Sequence, residues 1–423
     1  MDDPDDRSGK STPVSVPVGI DAAAFAGPHG YLDLVDLATA RNVDPDKFVL
    51  GLGQKRMAIA SPCEDTVTLA VDAGRRALDA FDIDPDEIGT LIVGTETGVD
   101  HSKPVAVYVH ELLGLSERCR TFETKHACYG AMAGLTASMD WIAAGRSRGR
   151  KALVIASDIA RYGIGTPGEP TQGAGAVALV VSDRPRLLAV APNTIGDYTR
   201  QVMDFWRPLY SKVAFADGHY SIECYLDALV GARADALGDA AARLDDLAAC
   251  LYHVPFVKMA KKAHQRHLEI ERGGPLDRDS EADRGVLADS LARQVDPWLT
   301  LNAEIGNIYT GSLFLSLIDL LRQAADRFSG RNISLFSYGS GCGATFCLGE
   351  VTDSAARWAL ALDPSEALAE RHRLSIADYE RLVREGEDAD TAAALDPTSY
   401  GLSDGLFYVG TVDHQRRYVE SRG

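Results

Sequence analysis

Apolar positions along this chain fall into two alternating patterns. Short unbroken aliphatic runs predict strands buried on both faces: Leu91 to Val93 within residues 89–99, KALVIASDIAR from Lys151, and GAVALVVS from Gly175. Around them, apolar residues recurring every three or four positions predict amphipathic helices. Residues 14–25 read as a first strand, 31–41 as a helix and 44–56 as a connection. Ser61-Pro62 with acidic residues behind it marks the head of another helix, and residues 100–114 predict one more. A glycine- and proline-rich loop, GIGTPGEPTQGAG, separates the strands that start near 151 and 175.

A second half begins near Arg184. Residues 197–221 are aromatic and irregular and read as a loop covering a ligand. Residues 221–248 predict helix, LAACLYHVPFV a strand with His253 near its end, and KMAKKAHQRHLEIE a basic helix. Residues 275–300 predict a solvated, charged helix, and GNIYTGSLFLSLIDLLRQAADR a turn followed by an apolar helix. ISLFSYGSGCGATFCLGEV reads as strand, glycine turn, strand. The acidic tail from 353 predicts helix and a last strand, GLFYVGTV. Helices alternating with apolar strands predict an α/β fold, and the two halves read as diverged copies of one α/β unit.

Residues 119–145, CRTFETKHACYGAMAGLTASMDWIAAG, predict a strand, a bend at residues 124–127 and a long helix that buries Met132, Leu135, Met139 and Ile142. Cys128 stands where strand gives way to helix. Unpaired N–H groups and the positive helix end favour a thiolate there, and Lys125 and His126 would add to this. The same position equally suits a small buried residue.

Composition narrows the function. The 423 residues are 46% hydrophobic and 25% charged, as in a soluble globular protein. A net charge of -18 argues against nucleic acid as the main partner. Seven irregularly spaced cysteines without a CxxC predict reduced thiols in the cytoplasm, with no metal site and no disulfide framework. Residues 1–13, MDDPDDRSGKSTP, predict a disordered acidic tail and not a signal peptide. No run of about 18 apolar residues occurs, so no membrane-spanning helix is predicted. Walker A and HExxH are both missing.

Three groups are predicted together at the carboxyl ends of strands, where open α/β sheets bind ligands: Glu96, Cys128 and His253. A thiol holds an acyl group as a thioester, a carboxylate removes a proton beside its carbonyl, and an imidazole or backbone N–H binds a second carbonyl. Structural readings stand beside this one. Glu96 suits a helix cap, His253 a hydrogen-bonded core position, YGSGCG at residues 338–343 a tight turn, and the basic helix a solvated face.

Several segments, in order, carry a resemblance: LGQKRMA, TETGVD, HELLGL, ETKHACYGA, ASDIARYG, GEPTQGAGAVA, DFWRP, YHVPFVKMAKKA, GNIYTGSLFLSLI and LFSYGSG. From about Val14 to the C-terminus the chain resembles the 3-hydroxy-3-methylglutaryl-CoA synthase family. That resemblance implies a thiolase-like fold of two pseudo-equivalent halves, here residues 14–183 and 184–423, in an αβαβα layering, and a homodimer. It also implies roles. Cys128 would be the acetylated nucleophile and Glu96 the general acid/base. His253 would orient the acceptor thioester, and Asn307 would line its site. The backbone N–H groups of Ser340 and Cys128 would bind the oxyanion, and Tyr162 and Phe205 would line the pocket. Lys258 and Lys262, on the helix after His253, would meet an acidic carrier protein or CoA phosphates. The implied reaction is a ping-pong, non-decarboxylative condensation of an acetyl with a β-ketoacyl thioester, needing no metal or redox cofactor. PCEDTVT at residues 62–68 and KHACYG at 125–130 resemble the polyketide-associated branch, which takes acyl groups from acyl carrier proteins and installs a β-branch. The mevalonate-pathway synthase, acting on acetyl-CoA and acetoacetyl-CoA, is the alternative, and a non-catalytic carrier-binding scaffold is a third.

Overall fold

The computed structural model describes residues 17–211, 213–238 and 243–421. The acidic tail expected at residues 1–13 lies outside them. At the centre is a ten-stranded mixed sheet. Its spine is three apolar strands, Val18–Ala26, Gly173–Ser182 and Lys151–Ala160, paired antiparallel in that order. Ile88–Gly94 runs parallel to Lys151–Ala160, and Arg120–Thr124 parallel to Ile88–Gly94 at the edge. All seven residues of Ile88–Gly94 are buried, as the continuous apolar run predicts for a strand covered on both faces. On the other side of Val18–Ala26, the short strand Leu188–Val190 hands the sheet to Gly343–Val351, Asn332–Gly339 and Ala249–Tyr252. Gly196–Thr199 also pairs with Gly343–Val351.

The helices cover this sheet. Thr66–Ala80 lies on the spine strands, and its start is fixed by a capping box between Asp65 and Thr68. Gly130–Ala143 packs on Ile88–Gly94 and Lys151–Ala160, and Met132, Leu135, Met139 and Ile142 are buried as expected. Gly311–Phe328 touches Gly173–Ser182 on one side and Ala249–Tyr252 and Asn332–Gly339 on the other, so it joins the two portions of the sheet. No helix among the described residues is long and apolar enough to cross a membrane.

Some boundaries differ from the sequence reading. Residues 31–33 are not helix: Gly30–Asp33 is a strand paired with Arg56–Ile59, and the helix Leu34–Ala40 starts only after the Asp33 side chain caps it. The last predicted strand has a partner that went unread, Gln415–Ser421.

Beneath the helix Val257–Arg272, which reads from sequence as solvated, lies a buried polar chain. Arg233 Nε donates to His267 Nε2 at 2.8 Å, so His267 carries its proton on Nδ1, which faces the Tyr252 hydroxyl at 3.0 Å. Tyr252 then donates to His264 Nδ1 at 3.0 Å, and His264 Nε2 to Ser290 at 2.8 Å. Ser290 donates to Gln294 at 2.9 Å, which ends on the carbonyls of Leu244 and Leu247. One direction of donation satisfies every link. Both imidazoles are neutral, since burial pushes His264 down to about 4 and His267 well below its ordinary range.

Candidate active site

Two helices begin at the same place. Gly130–Ala143 follows Cys128, and Gly311–Phe328 follows Asn307. Between strand Arg120–Thr124 and its helix the chain turns sharply, with Ala127 at φ +38 immediately before the thiol. Tyr309, at φ +50, packs against Cys128 from the other loop. A non-glycine residue in the left-handed region costs about 1–3 kcal/mol, and two of them beside one thiol mark a built site. The turn at residues 339–341 closes on the same loop. A side chain at Gly339 would meet Tyr129 Cβ at 2.5 Å and the His126 carbonyl at 2.7 Å, so only glycine lets the two approach.

These elements enclose a cavity of about 560 Å³. Cys128, Tyr162, Phe205, His253, Asn307 and Ser340 all line it, bringing together six of the residues singled out in the sequence. Glu96 does not line the cavity. It stands close enough for its charge to act on Cys128, Tyr162 and Tyr309. Lys258 and Lys262 do not line it either, although Met259 between them does. Lys258 is exposed and Lys262 half-buried, and neither has an ion-pair partner among the described residues. Lys261 is paired with Asp296 at 3.1 Å.

His253 is held by its backbone. Its N–H donates to the Phe336 carbonyl at 2.7 Å, and its carbonyl accepts from the Tyr225 hydroxyl at 2.8 Å. The ring is free: Nδ1 is buried without a partner among the described residues, and burial pushes the imidazole down to about 3. His253 is therefore neutral. Asn307 donates to the Tyr162 hydroxyl at 2.8 Å and accepts from the Tyr309 N–H at 2.9 Å. Phe205 meets Tyr162 edge to face at 6.0 Å. The loop carrying Tyr162 is pinned through Gln172, whose amide accepts from the Tyr162 N–H at 2.8 Å and donates to Tyr379 at 2.9 Å. Tyr379 in turn donates to Glu169, which Arg41 grips with two bonds.

The expected thiolate is not what the surroundings favour. Burial is the largest influence on Cys128, and Asp158, Glu96 and Asp204 add negative charge, so the group is raised well above its ordinary value and rests as a thiol. His126 does not stabilise a thiolate by charge, because burial lowers it and outweighs the hydrogen bond of its ring to the Ser340 backbone, which acts the other way.

Sequence reasoning missed four residues. Asp158 Oδ1 accepts from the Glu96 N–H at 2.8 Å, the Thr97 N–H at 3.1 Å and the Thr95 and Thr97 hydroxyls at 3.0 Å, so it shapes the turn carrying Glu96. Asp204 accepts from Tyr338 at 2.6 Å and from the Gly341 N–H at 2.9 Å, fixing the Phe205 loop to the glycine turn. Arg207 pairs with Glu96, and Tyr309 faces the thiol. Asp158 and Arg207 lie inside segments singled out in the sequence, but polarity alone does not say which side chain turns inward.

The chain matches the models for the N-terminal part of hydroxymethylglutaryl-coenzyme A synthase over residues 14–185 and for the C-terminal part over 189–271 and 275–422. It belongs to the hydroxymethylglutaryl-CoA synthase family. It is thus an acyl-transferring condensing enzyme of thiolase-like fold, and its substrates are acyl thioesters. The hydroxymethylglutaryl-CoA synthase of Enterococcus faecalis is 38% identical over 91% of this chain and 97% of its own. The polyketide biosynthesis 3-hydroxy-3-methylglutaryl-ACP synthase PksG of Bacillus subtilis is 35% identical over 87% of this chain and 88% of its own. Among solved structures, MvaS in complex with 3-hydroxy-3-methylglutaryl coenzyme A superposes with a TM-score of 0.89, at 46% identity over 96% of this chain and 99% of its own. The curacin-pathway HMG synthase in complex with acetyl donor-ACP gives 0.88, at 33% identity over 96% of this chain and all of its own.

Proposed function

We propose that this synthase condenses the acetyl group of acetyl-CoA with acetoacetyl-CoA. The observation that carries the reading is the convergence of Cys128, His253, Asn307 and Ser340 on one cavity, with Glu96 near enough for its charge to act on the thiol. The Cys128 sulfur adds to the acetyl carbonyl, and the C–S bond to CoA breaks. The thiol proton leaves with the CoA sulfur. The Glu96 carboxylate removes a methyl proton from acetyl-Cys128, and the enolate carbon bonds to the keto carbon of the acceptor. The ketone oxygen, turning into an alkoxide, faces neutral His253, whose ring N–H polarises it. Glu96, now protonated, returns its proton to the alkoxide, and water cleaves the thioester to Cys128 and frees the thiol. Backbone N–H groups of Cys128 and Ser340 serve the oxyanion.

The choice of CoA over carrier protein rests on similarity, 46% identity to the MvaS complex against 33% to the curacin enzyme. The segment at residues 62–68 that resembles the polyketide branch is occupied with the fold. Glu64 accepts from the His29 and Ser61 N–H groups at 2.8 and 2.9 Å, and Asp65 caps a helix. A carrier-protein donor is the second reading, favoured by the unpaired Lys258 and Lys262 beside the cavity. We also read the assembly as a homodimer through Arg120–Thr124, one of the two edge strands of the sheet, whose outer edge has no strand partner among the described residues.

The test is intact-mass measurement of Cys128 acetylation with acetyl-CoA and acetyl carrier protein at equal concentration. Fast labelling from acetyl-CoA, absent in Cys128→Ala, is expected. Labelling from the carrier protein alone would move the enzyme to β-branching.

A further inference from the structure

We propose that Arg207 is a positioning residue for the Glu96 carboxylate, reaching it from the loop that also carries Phe205. The proposal rests on the reading of Glu96 as the proton-transferring base.

Arg207 Nη2 donates to Glu96 Oε2 at 2.9 Å and also to the Glu96 backbone carbonyl. One nitrogen therefore bridges the main chain and side chain of the same residue. That closes a ring and fixes the direction of the carboxylate. Asp158 holds the Glu96 N–H from the opposite side at 2.8 Å. Glu96 Oε1 has no hydrogen-bond partner among the described residues, which leaves one oxygen for the proton and one for the arginine.

The arginine is itself held in place. Asp204, three residues earlier, is buried against Tyr338 and the Gly341 N–H, and Phe205–Trp206 pairs with Phe215–Ala216. Arg207 thus brings a charge fixed to the second portion of the sheet onto a carboxylate of the first. Charge also requires it. The Glu96 side chain is 9% exposed and the Arg207 side chain 29%. A buried carboxylate without a partner is driven toward the acid form, which cannot take a methyl proton. Burial does push Glu96 up, and Arg207 is the largest influence opposing it, ahead of Lys125.

The test compares wild type, Arg207→Met and Arg207→Lys in two steps. The first is Cys128 acetylation by intact mass. The second, in acetylated enzyme without acceptor, is exchange of the acetyl methyl protons with deuterated water as a function of pH. In Arg207→Met, acetylation is expected to proceed at the wild-type rate, while exchange at neutral pH falls about tenfold or more and its acid limb moves up by about one pH unit or more. Arg207→Lys, which keeps the charge but not the bridge, is expected to hold the acid limb near wild type and recover only part of the rate. An unmoved acid limb in Arg207→Met, or acetylation falling in step with exchange, would overturn the proposal. If Arg207→Met does not fold, an upward move of the limb in Arg207→Lys as large as that expected for Arg207→Met overturns it. Glu96→Gln separates the two readings: wild-type exchange there sinks the role of Glu96, whereas loss there with an unmoved limb in Arg207→Met sinks Arg207 alone.

Discussion

At Cys128 the local field opposes ionisation, and this sets how the residue works. On the proposed mechanism, a buried thiol under the influence of Asp158, Glu96 and Asp204 stays protonated between turnovers and would become a nucleophile only as its proton departs with the chemistry. The contrary expectation came from local sequence, where Lys125 and His126 precede the thiol. The opposing charges arrive from Asp158 on one strand, Glu96 after another and Asp204 in a loop, and nothing in their spacing announces that they meet. His253 was legible from its place after an apolar strand, but its support was not. The Tyr225 hydroxyl that holds the His253 carbonyl comes from the helix Gly218–Leu237. Losing a buried hydrogen bond of this kind costs about 1–2 kcal/mol. Tyr225→Phe is therefore expected to lower kcat/KM for the acceptor about tenfold and leave the acetylation rate unchanged, as steady-state and single-turnover assays would show.

Among the elements, the apolar strands were read within a few residues and the helix after Cys128 with its buried face, because burial on both faces and helical periodicity are local signals. Short pieces such as Gly30–Asp33 were lost, since four residues carry too little pattern to outweigh the helix that follows. How closely elements approach was also not legible. A side chain at Gly94, the last residue of its strand, would meet Ala131 N at 2.2 Å and Gly130 C at 2.6 Å, inside the first turn of the cysteine helix. Glycine there lets that helix seat its start directly on the strand leading to Glu96. Gly94→Ala must push the two apart and is expected to cost about 1–3 kcal/mol in denaturant titration, with condensation falling further than the loss of folded protein explains.

For the whole molecule, buried histidines tie stability to pH. In the unfolded chain an imidazole binds its proton near 6.5, but in the folded protein His253 does so only near 3 and His264 near 4. Between these values the unfolded state holds more protons, so their contribution is full above pH 6.5 and is lost as pH falls through the window. At pH 5 each accounts for about 2 kcal/mol. Glu96 and Asp158, whose carboxyls burial pushes up, act in the opposite sense. His253→Asn isolates one histidine: the loss of stability between pH 7.5 and pH 5, measured by chemical denaturation, is expected to shrink by about 2 kcal/mol relative to wild type.

The polar chain from Arg233 to Gln294 has a direction, and direction couples its members. Arg233 only donates, and each later member receives a donor on one side and offers one on the other. Truncating one link leaves a donor on one side and an acceptor on the other without a partner in a dry interior. Arg233, His267, Tyr252, His264, Ser290 and Gln294 are therefore energetically coupled, and truncations at two of them are expected to be non-additive in a double-mutant cycle followed by denaturation.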